Sequence, residues 1–167
     1  MDSMPALLLQ PDPVYPDAKH VDSYQRGVEF QDYVCAVLAR QGLILQNLQS
    51  RRYQWSVGEN LQGWEIKLDE LCTRSGRLSI EVAEKSKAAN ALWVPSGIMR
   101  EDNSWLYVQG NYDVLFIFGK KMLRAWHKQK RPELFEALGT VQKFYISMTD
   151  AERVAAKVVW MRALDHA

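Results

Sequence analysis

The sequence predicts a mixed α/β domain, and three observations carry that prediction. A helical period runs through residues 23–41, two segments between 64 and 85 alternate strictly between apolar and polar residues, and further strand-like runs bracket a basic helical segment after residue 114. At 167 residues, with 47% hydrophobic and 25% charged residues, the chain is long enough to bury a core and has the balance of an ordinary globular protein.

Taken in order, residues 1–20 carry Pro5, Pro11, Pro13 and Pro16 and read as an extended arm, leaving 21–167 as one domain. Asp22 or Ser23 can cap the first helix, whose apolar side is Phe30, Val34, Val37 and Leu38, with Gly42 as the residue just past its end. Residues 43–49 read as a strand that resumes through 51–57. In 64–70, Trp64, Ile66 and Leu68 oppose Glu65, Lys67 and Asp69; in 78–85, Leu78, Ile80 and Val82 oppose Ser79, Glu81, Ala83 and Lys85. Ser75-Gly76 is a turn signal between them, so a hairpin is expected. Residues 86–93 suit a short helix or an irregular crossover. Residues 104–109 and 114–119 follow as strands, 120–130 as a helix and 141–148 as another strand. A closing helix should start at the capping-box spacing Thr149-x-x-Glu152.

Composition removes several function classes. The formal charge is only +1, which excludes a globally basic nucleic-acid binder, so any such contact needs a local patch. Cys35 and Cys72 have no disulfide-framework or CxxC spacing and read as thiols in a reducing compartment. His20, His127 and His166 are too scattered for a zinc site. The N-terminus lacks a basic, long-apolar leader and no stretch approaches the ~20 apolar residues of a membrane span, so a cytoplasmic protein is expected.

The chemistry concentrates in 64–85. A hairpin there would place Glu65, Asp69 and Glu81 on adjacent strands with Lys67 and Lys85 among them. Like charges opposed across a sheet are destabilising, and a hard cation such as Mg2+ or Mn2+ would relieve them. A nearby amine can orient or deprotonate an attacking water. Alternating charge on a half-exposed strand is also what solvated cross-strand pairs look like. Glu29, on the first helix, is either an exposed carboxylate or a third ligand for the same cation. Lys120, Lys121, Arg124, Lys128, Lys130 and Arg131 lie in an acid-free segment, which suits either a solvated helix face or a phosphate-contacting patch for DNA. Arg51, Arg52, Tyr53 and Trp55 suggest a smaller patch with stacking groups.

Over residues 22–90 these motifs resemble the PD-(D/E)xK nuclease superfamily, which includes restriction enzymes and archaeal-type Holliday-junction resolvases. The resemblance rests on Gly27-x-Glu29 in a helix, Gly63-Trp64-Glu65 entering a strand and Ile80-Glu81-Val82 in another. The run GWEIKLDE…SGRLSIEVAEKS is similar to phage and prophage proteins of that superfamily. It implies a restriction-endonuclease-like αβββαβ core with a mixed central sheet flanked by helices, a divalent metal, and hydrolysis of DNA phosphodiesters, with a homodimer where both strands are cut. By position, Glu29, Glu65 and Glu81 would be the metal ligands. The superfamily's lysine falls where this chain has Ala83, so Lys85 or Lys67 would supply the amine. A second alignment takes Glu65-Ile66-Lys67 as the motif with Glu59 as the preceding acid; it ranks lower because Glu59 and Glu65 are too close in sequence for separate paired strands. The departure at Ala83 also keeps open a nuclease-fold module without catalysis that binds DNA or a host protein.

Overall fold

The computed structural model describes residues 18–48 and 50–161. Its first helix, α1 (Ala18–Arg40), begins before the expected residue 23 and buries Phe30, Val34, Val37 and Leu38 as the periodicity requires. The helix closes where the sequence indicates. Gly42 has φ of 83°, and the Gly42 and Leu43 amides bond back to the Ala39 and Leu38 carbonyls, a left-handed stop that glycine adopts without strain. Residues 1–17 of the expected arm lie outside the described residues.

Residues 43–57 depart from expectation. In place of a long strand there is one isolated bridge, Asn47 with Asn60, and a short helix α2 (Arg51–Ser56). The Gln54 side chain donates to the Leu48 carbonyl and so folds the segment onto itself.

The remaining elements build two four-stranded sheets. The strands of the first are β1 (Trp64–Leu68), β4 (Leu106–Gly110), β5 (Val114–Gly119) and β8 (Lys157–Trp160), in that spatial order. The β1–β4 pair is parallel, while β4–β5 and β5–β8 are antiparallel. The second sheet orders β3 (Val94–Pro95), β2 (Arg77–Glu84), β7 (Val141–Ser147) and β6 (Leu134–Ala137), all antiparallel. A mixed α/β architecture is therefore present, although one central sheet was expected and two are found. Strands β3, β6 and β8 went unforeseen.

The expected hairpin between 64–70 and 78–85 does not form. Ser75-Gly76 ends a single helical turn, α3 (Cys72–Ser75), with Gly76 left-handed at φ 69°. Beyond that turn, Asp69 Oδ2 accepts the Ser79 amide (2.8 Å) and Gln109 Nε2 donates to the Ser79 carbonyl (2.7 Å). Side chains thus occupy the edge of β2 that a hairpin partner would have used.

Helix α4 (Lys120–Lys130) and helix α5 (Met148–Val154) complete the structure. The cap of α5 is Ser147, which accepts the Asp150 amide, two residues earlier than the expected box. The helix then stops at Val154, and β8 extends the first sheet with half-buried Val158 and Val159. Residues 86–93 are irregular.

Two apolar cores result. One face of the β1–β4–β5 sheet (Trp64, Ile66, Leu106, Val108, Leu115, Ile117) packs on α1. The opposite face carries Tyr107, Phe116 and Phe118 against Leu78, Ile80 and Val82 of β2, Phe144 of β7 and Leu123 of α4. Among the described residues no helix is long and apolar enough to cross a membrane.

Candidate functional site

Period-two alternation decides what β1 and β4 present to each face. With Trp64, Ile66, Leu106 and Val108 committed to α1, the opposite face receives Glu65 and Lys67 from β1, and Tyr107 and Gln109 from β4. Register pairs Glu65 with Tyr107 and Lys67 with Gln109. Glu65 is only 3% exposed, so its charge requires compensation.

Two ammonium groups supply it. Lys67 Nζ lies 3.3 Å from Glu65 Oε1 and 2.9 Å from Glu59 Oε1; Lys120 Nζ lies 3.3 Å from Glu65 Oε2. Glu59 stands in the loop before β1, not on a strand, and its side chain folds back so that Oε2 accepts the Ile66 amide (2.8 Å) and Gln31 Nε2 (3.2 Å). The spacing argument against pairing Glu59 with Glu65 fails for that reason: a loop carboxylate needs no strand of its own. Of the groups of the second alignment, Glu59 and Glu65 each contact Lys67.

Lys120 opens α4 and is buried. It hydrogen-bonds Asp102 Oδ1 (3.1 Å) and Ser104 Oγ as well as pairing with Glu65. Burial acts to raise the Asp102 carboxyl, but hydrogen bonds from Ser104 and Lys120 outweigh it and hold the group below its usual range. Glu59 is shifted the other way: its burial, with Glu65 adding to it, exceeds the pull of Lys67 and raises its carboxyl. For Lys67, burial disfavours the ammonium, yet Glu59, Glu65 and Glu81 together lift it well above the ordinary lysine value. Lys67 is therefore held as an ammonium.

The cluster borders a cleft of about 500 Å³ whose lining includes Gln31, Glu59, Lys67, Asp69, Glu84 and Arg100. The other expected site residues distribute around it. Glu81 lies within electrostatic reach of Lys67, and its Oε1 accepts from Ser96 Oγ (2.6 Å). Gly97, with φ of 50°, makes that contact possible, because a Cβ there would stand 2.3 Å from the Glu81 carbonyl oxygen. Lys85 lies over the Trp93 ring, 4.4 Å from its centroid, outside the cluster. Glu29 is exposed, bonded to Gln25 on its own helix, and does not line the cleft. Asp69 holds Ser79.

The basic segment also divides. Lys120 is buried, and Arg124 spends its guanidinium on the Ile98 and Arg100 carbonyls and Glu101, so neither presents a free charge at the surface. Lys121, Lys128, Lys130 and Arg131 are exposed. Of the smaller patch, Arg52 and Tyr53 are exposed, whereas the side chains of Arg51 and Trp55 lie outside those described.

Among the described residues, no group of three or more His, Cys, Asp or Glu side chains is gathered so as to hold a metal ion. The donor chemistry nevertheless suits a hard cation in a smaller set. Glu59 and Glu65 each turn a carboxylate oxygen toward the Lys67 ammonium, and magnesium commonly takes one or two carboxylates with water and phosphate oxygens.

Sequence reasoning missed Tyr107, Gln109, Asp102 and the interior place of Lys120. For the first two a signal existed, since Leu106-Tyr107-Val108-Gln109 has the same alternation as β1. Comparison with protein-family profiles, curated proteins and solved structures gives no match for this chain.

Proposed function

We propose that the protein is a metal-dependent endonuclease that hydrolyses DNA phosphodiesters, with a restriction-endonuclease-like arrangement of its catalytic strand. The observation that carries this reading is the contact of both Glu59 and Glu65 with Lys67, beside a polar cleft that Glu59 and Lys67 line. Glu59 and Glu65 would hold Mg2+ or Mn2+. Such a cation supplies Lewis acidity at the phosphoryl oxygens and lowers the pKa of a coordinated water.

The chain's own groups supply the rest. Lys67, held as an ammonium, would offset charge accumulating on the phosphoryl oxygens. Lys120 and Asp102 hold Glu65 from inside. Exposed Lys121, Lys128, Lys130 and Arg131 would contact backbone phosphates; at 1.5 Å per residue, Lys128 stands about 12 Å along the helix from Lys120. Cutting both strands of a duplex or junction requires two such sites, so a homodimer belongs to the proposal.

Nicking assays with Mg2+ or Mn2+ on supercoiled, linear, single-stranded and four-way-junction DNA test it. Wild type should cleave at least one substrate, and Lys67→Met should lose about 10²–10³-fold, the scale of one electrostatic group aimed at developing charge. Equal behaviour of wild type, Lys67→Met and Glu65→Gln on all four would refute hydrolysis.

One observation favours a second reading, a DNA-binding module without catalysis. Both Glu65 oxygens already face ammonium groups, which lessens the need for a metal. Retention of DNA by wild type and its Glu65→Gln variant alike, with no cleavage, is the result that reading requires.

A further inference from the structure

Strand β2 sends Leu78, Ile80 and Val82 into the core between the sheets, and β7 does the same with Phe144 and Ile146. Alternation therefore turns Arg77, Ser79 and Glu81 of β2, with Lys143, Tyr145 and Ser147 of β7, to the other side of the second sheet. Phe135 of β6 joins them as the register partner of Lys143. Two members of this face, Ser79 and Lys143, also line the cleft. Tyr145 is the register partner of Ser79 and stands two residues, about 7 Å, from Lys143. The outer face of the second sheet thus continues the cleft wall.

Three side chains form a column across that face. The Tyr145 and Phe135 rings stack with centroids 4.2 Å apart and planes 14° from parallel, and the Arg77 guanidinium carbon lies 3.7 Å from the Tyr145 centroid. Arg77 comes from β2 and Phe135 from β6, the strands on either side of β7, so the order is Arg77–Tyr145–Phe135. Arg77 is exposed, and Tyr145 is 40% exposed. Among the described residues no carboxylate pairs with Arg77. Packing of the sheet surface accounts for the two rings, but it leaves the guanidinium charge unneutralised.

A guanidinium held flat on a ring keeps its in-plane N–H donors, which suit a phosphate, and its outer plane can take a further flat group. The ligand that repeats a flat aromatic group and an anion along one chain is a nucleic-acid strand with its bases unpaired. Inside a duplex, neighbouring pairs cover both faces of each base and the grooves expose only edges. The cleft agrees. At about 500 Å³ it has the size of a small-ligand pocket, enough for nucleotides of one strand, whereas the major groove of a duplex alone is about 12 Å wide.

We infer that DNA reaches the cleft as a single strand laid across the outer face of the second sheet. One base stacks on Arg77 at the open end of the column, Arg77 and Lys143 take backbone phosphates, and the following nucleotides lie in the cleft. This rests on the cleft being the nuclease site proposed above, and it narrows the substrate of that site to unpaired DNA.

The test is fluorescence anisotropy of the full chain in EDTA, with a labelled mixed-sequence single strand and with the duplex of the same sequence. Wild type should bind the single strand more tightly. Arg77→Lys keeps the charge and both rings but loses the plane; it should weaken single-strand binding about 5–100-fold, the scale of one lost stacking contact, and leave duplex binding unchanged. Tyr145→Leu, which removes the surface that holds the guanidinium flat, should act in the same direction. Equal binding of the single strand by wild type and Arg77→Lys, or a preference of wild type for the duplex, overturns the inference. So does loss of self-association in Tyr145→Leu, read by sedimentation, with DNA binding intact, because the face would then be a contact between copies of the chain. With Mg2+ added, the two readings separate. Single strands bound as expected but never cut would end the hydrolytic reading and leave the strand path standing. Single strands cut equally fast by wild type and Arg77→Lys would end the strand path and leave hydrolysis standing.

Discussion

Strand β1 presents two chemistries on its two sides. On one, Trp64 and Ile66 meet α1 through Phe30 and Val34, and every group is apolar. On the other, a buried carboxylate lies 3.3 Å from each of two ammonium groups, beside the buried side chains of Tyr107 and Gln109. The backbone is common to both, so the contrast isolates what side chains contribute. The apolar face can only stabilise. The polar face is costly to desolvate and persists through mutual compensation, an arrangement that recurs where proteins do chemistry.

The comparison can be broken most severely at Lys120. Lys120→Met removes the cation between Glu65 and Asp102 and leaves two buried carboxylates facing each other. Loss of one partner from such a network costs about 3–5 kcal/mol. Chemical denaturation should show this as a lower midpoint with little change in slope, and recovery in the Lys120→Met/Asp102→Asn double variant would locate the cost in the stranded charge. A loss under about 1 kcal/mol, the scale of an exposed pair, would mean the lysine is solvated after all.

On the apolar side the matching probe is Ile66→Val, which removes one methylene next to α1 and should cost about 0.5–1.5 kcal/mol. Lying between Glu65 and Lys67 with its side chain on the opposite face, it should leave any cleavage rate unaltered at temperatures where the protein stays folded. A parallel loss of rate would show that the two faces are not separable.

The smallest effect is a pH dependence. Glu59 titrates higher in the fold than in the unfolded chain, so between its ordinary and raised values the native state binds more protons. Stability from this group is complete below the ordinary carboxylate pKa and is lost as pH rises through the raised one. Glu59→Gln removes that loss. Its stability relative to wild type should therefore climb as pH is raised from about 4. A difference independent of pH would place Glu59 in ordinary solvent.

The two faces were not equally legible. Alternation alone assigned Trp64, Ile66 and Leu68 to one side and Glu65 and Lys67 to the other, and helical period plus Gly42 defined α1, because these are local consequences of backbone geometry. Partner choice is not local. β1 pairs in parallel with β4, some forty residues on, while the nearer β2 has its Ser79 edge taken by Asp69 and Gln109. A sequence reading that expects neighbours to pair therefore puts Glu81 on the strand beside Glu65. Charge counting failed at Lys120 for a similar reason: a run of basic residues reads as surface until one of them is needed inside to balance Glu65 and Asp102.

The same two side chains that displaced the expected hairpin have a protective effect. A strand margin with free amide and carbonyl groups readily recruits a foreign strand. By closing over Ser79, Asp69 and Gln109 deny that margin to other molecules, and a chain stripped of both would be prone to stick to its own copies in solution long before it unfolded.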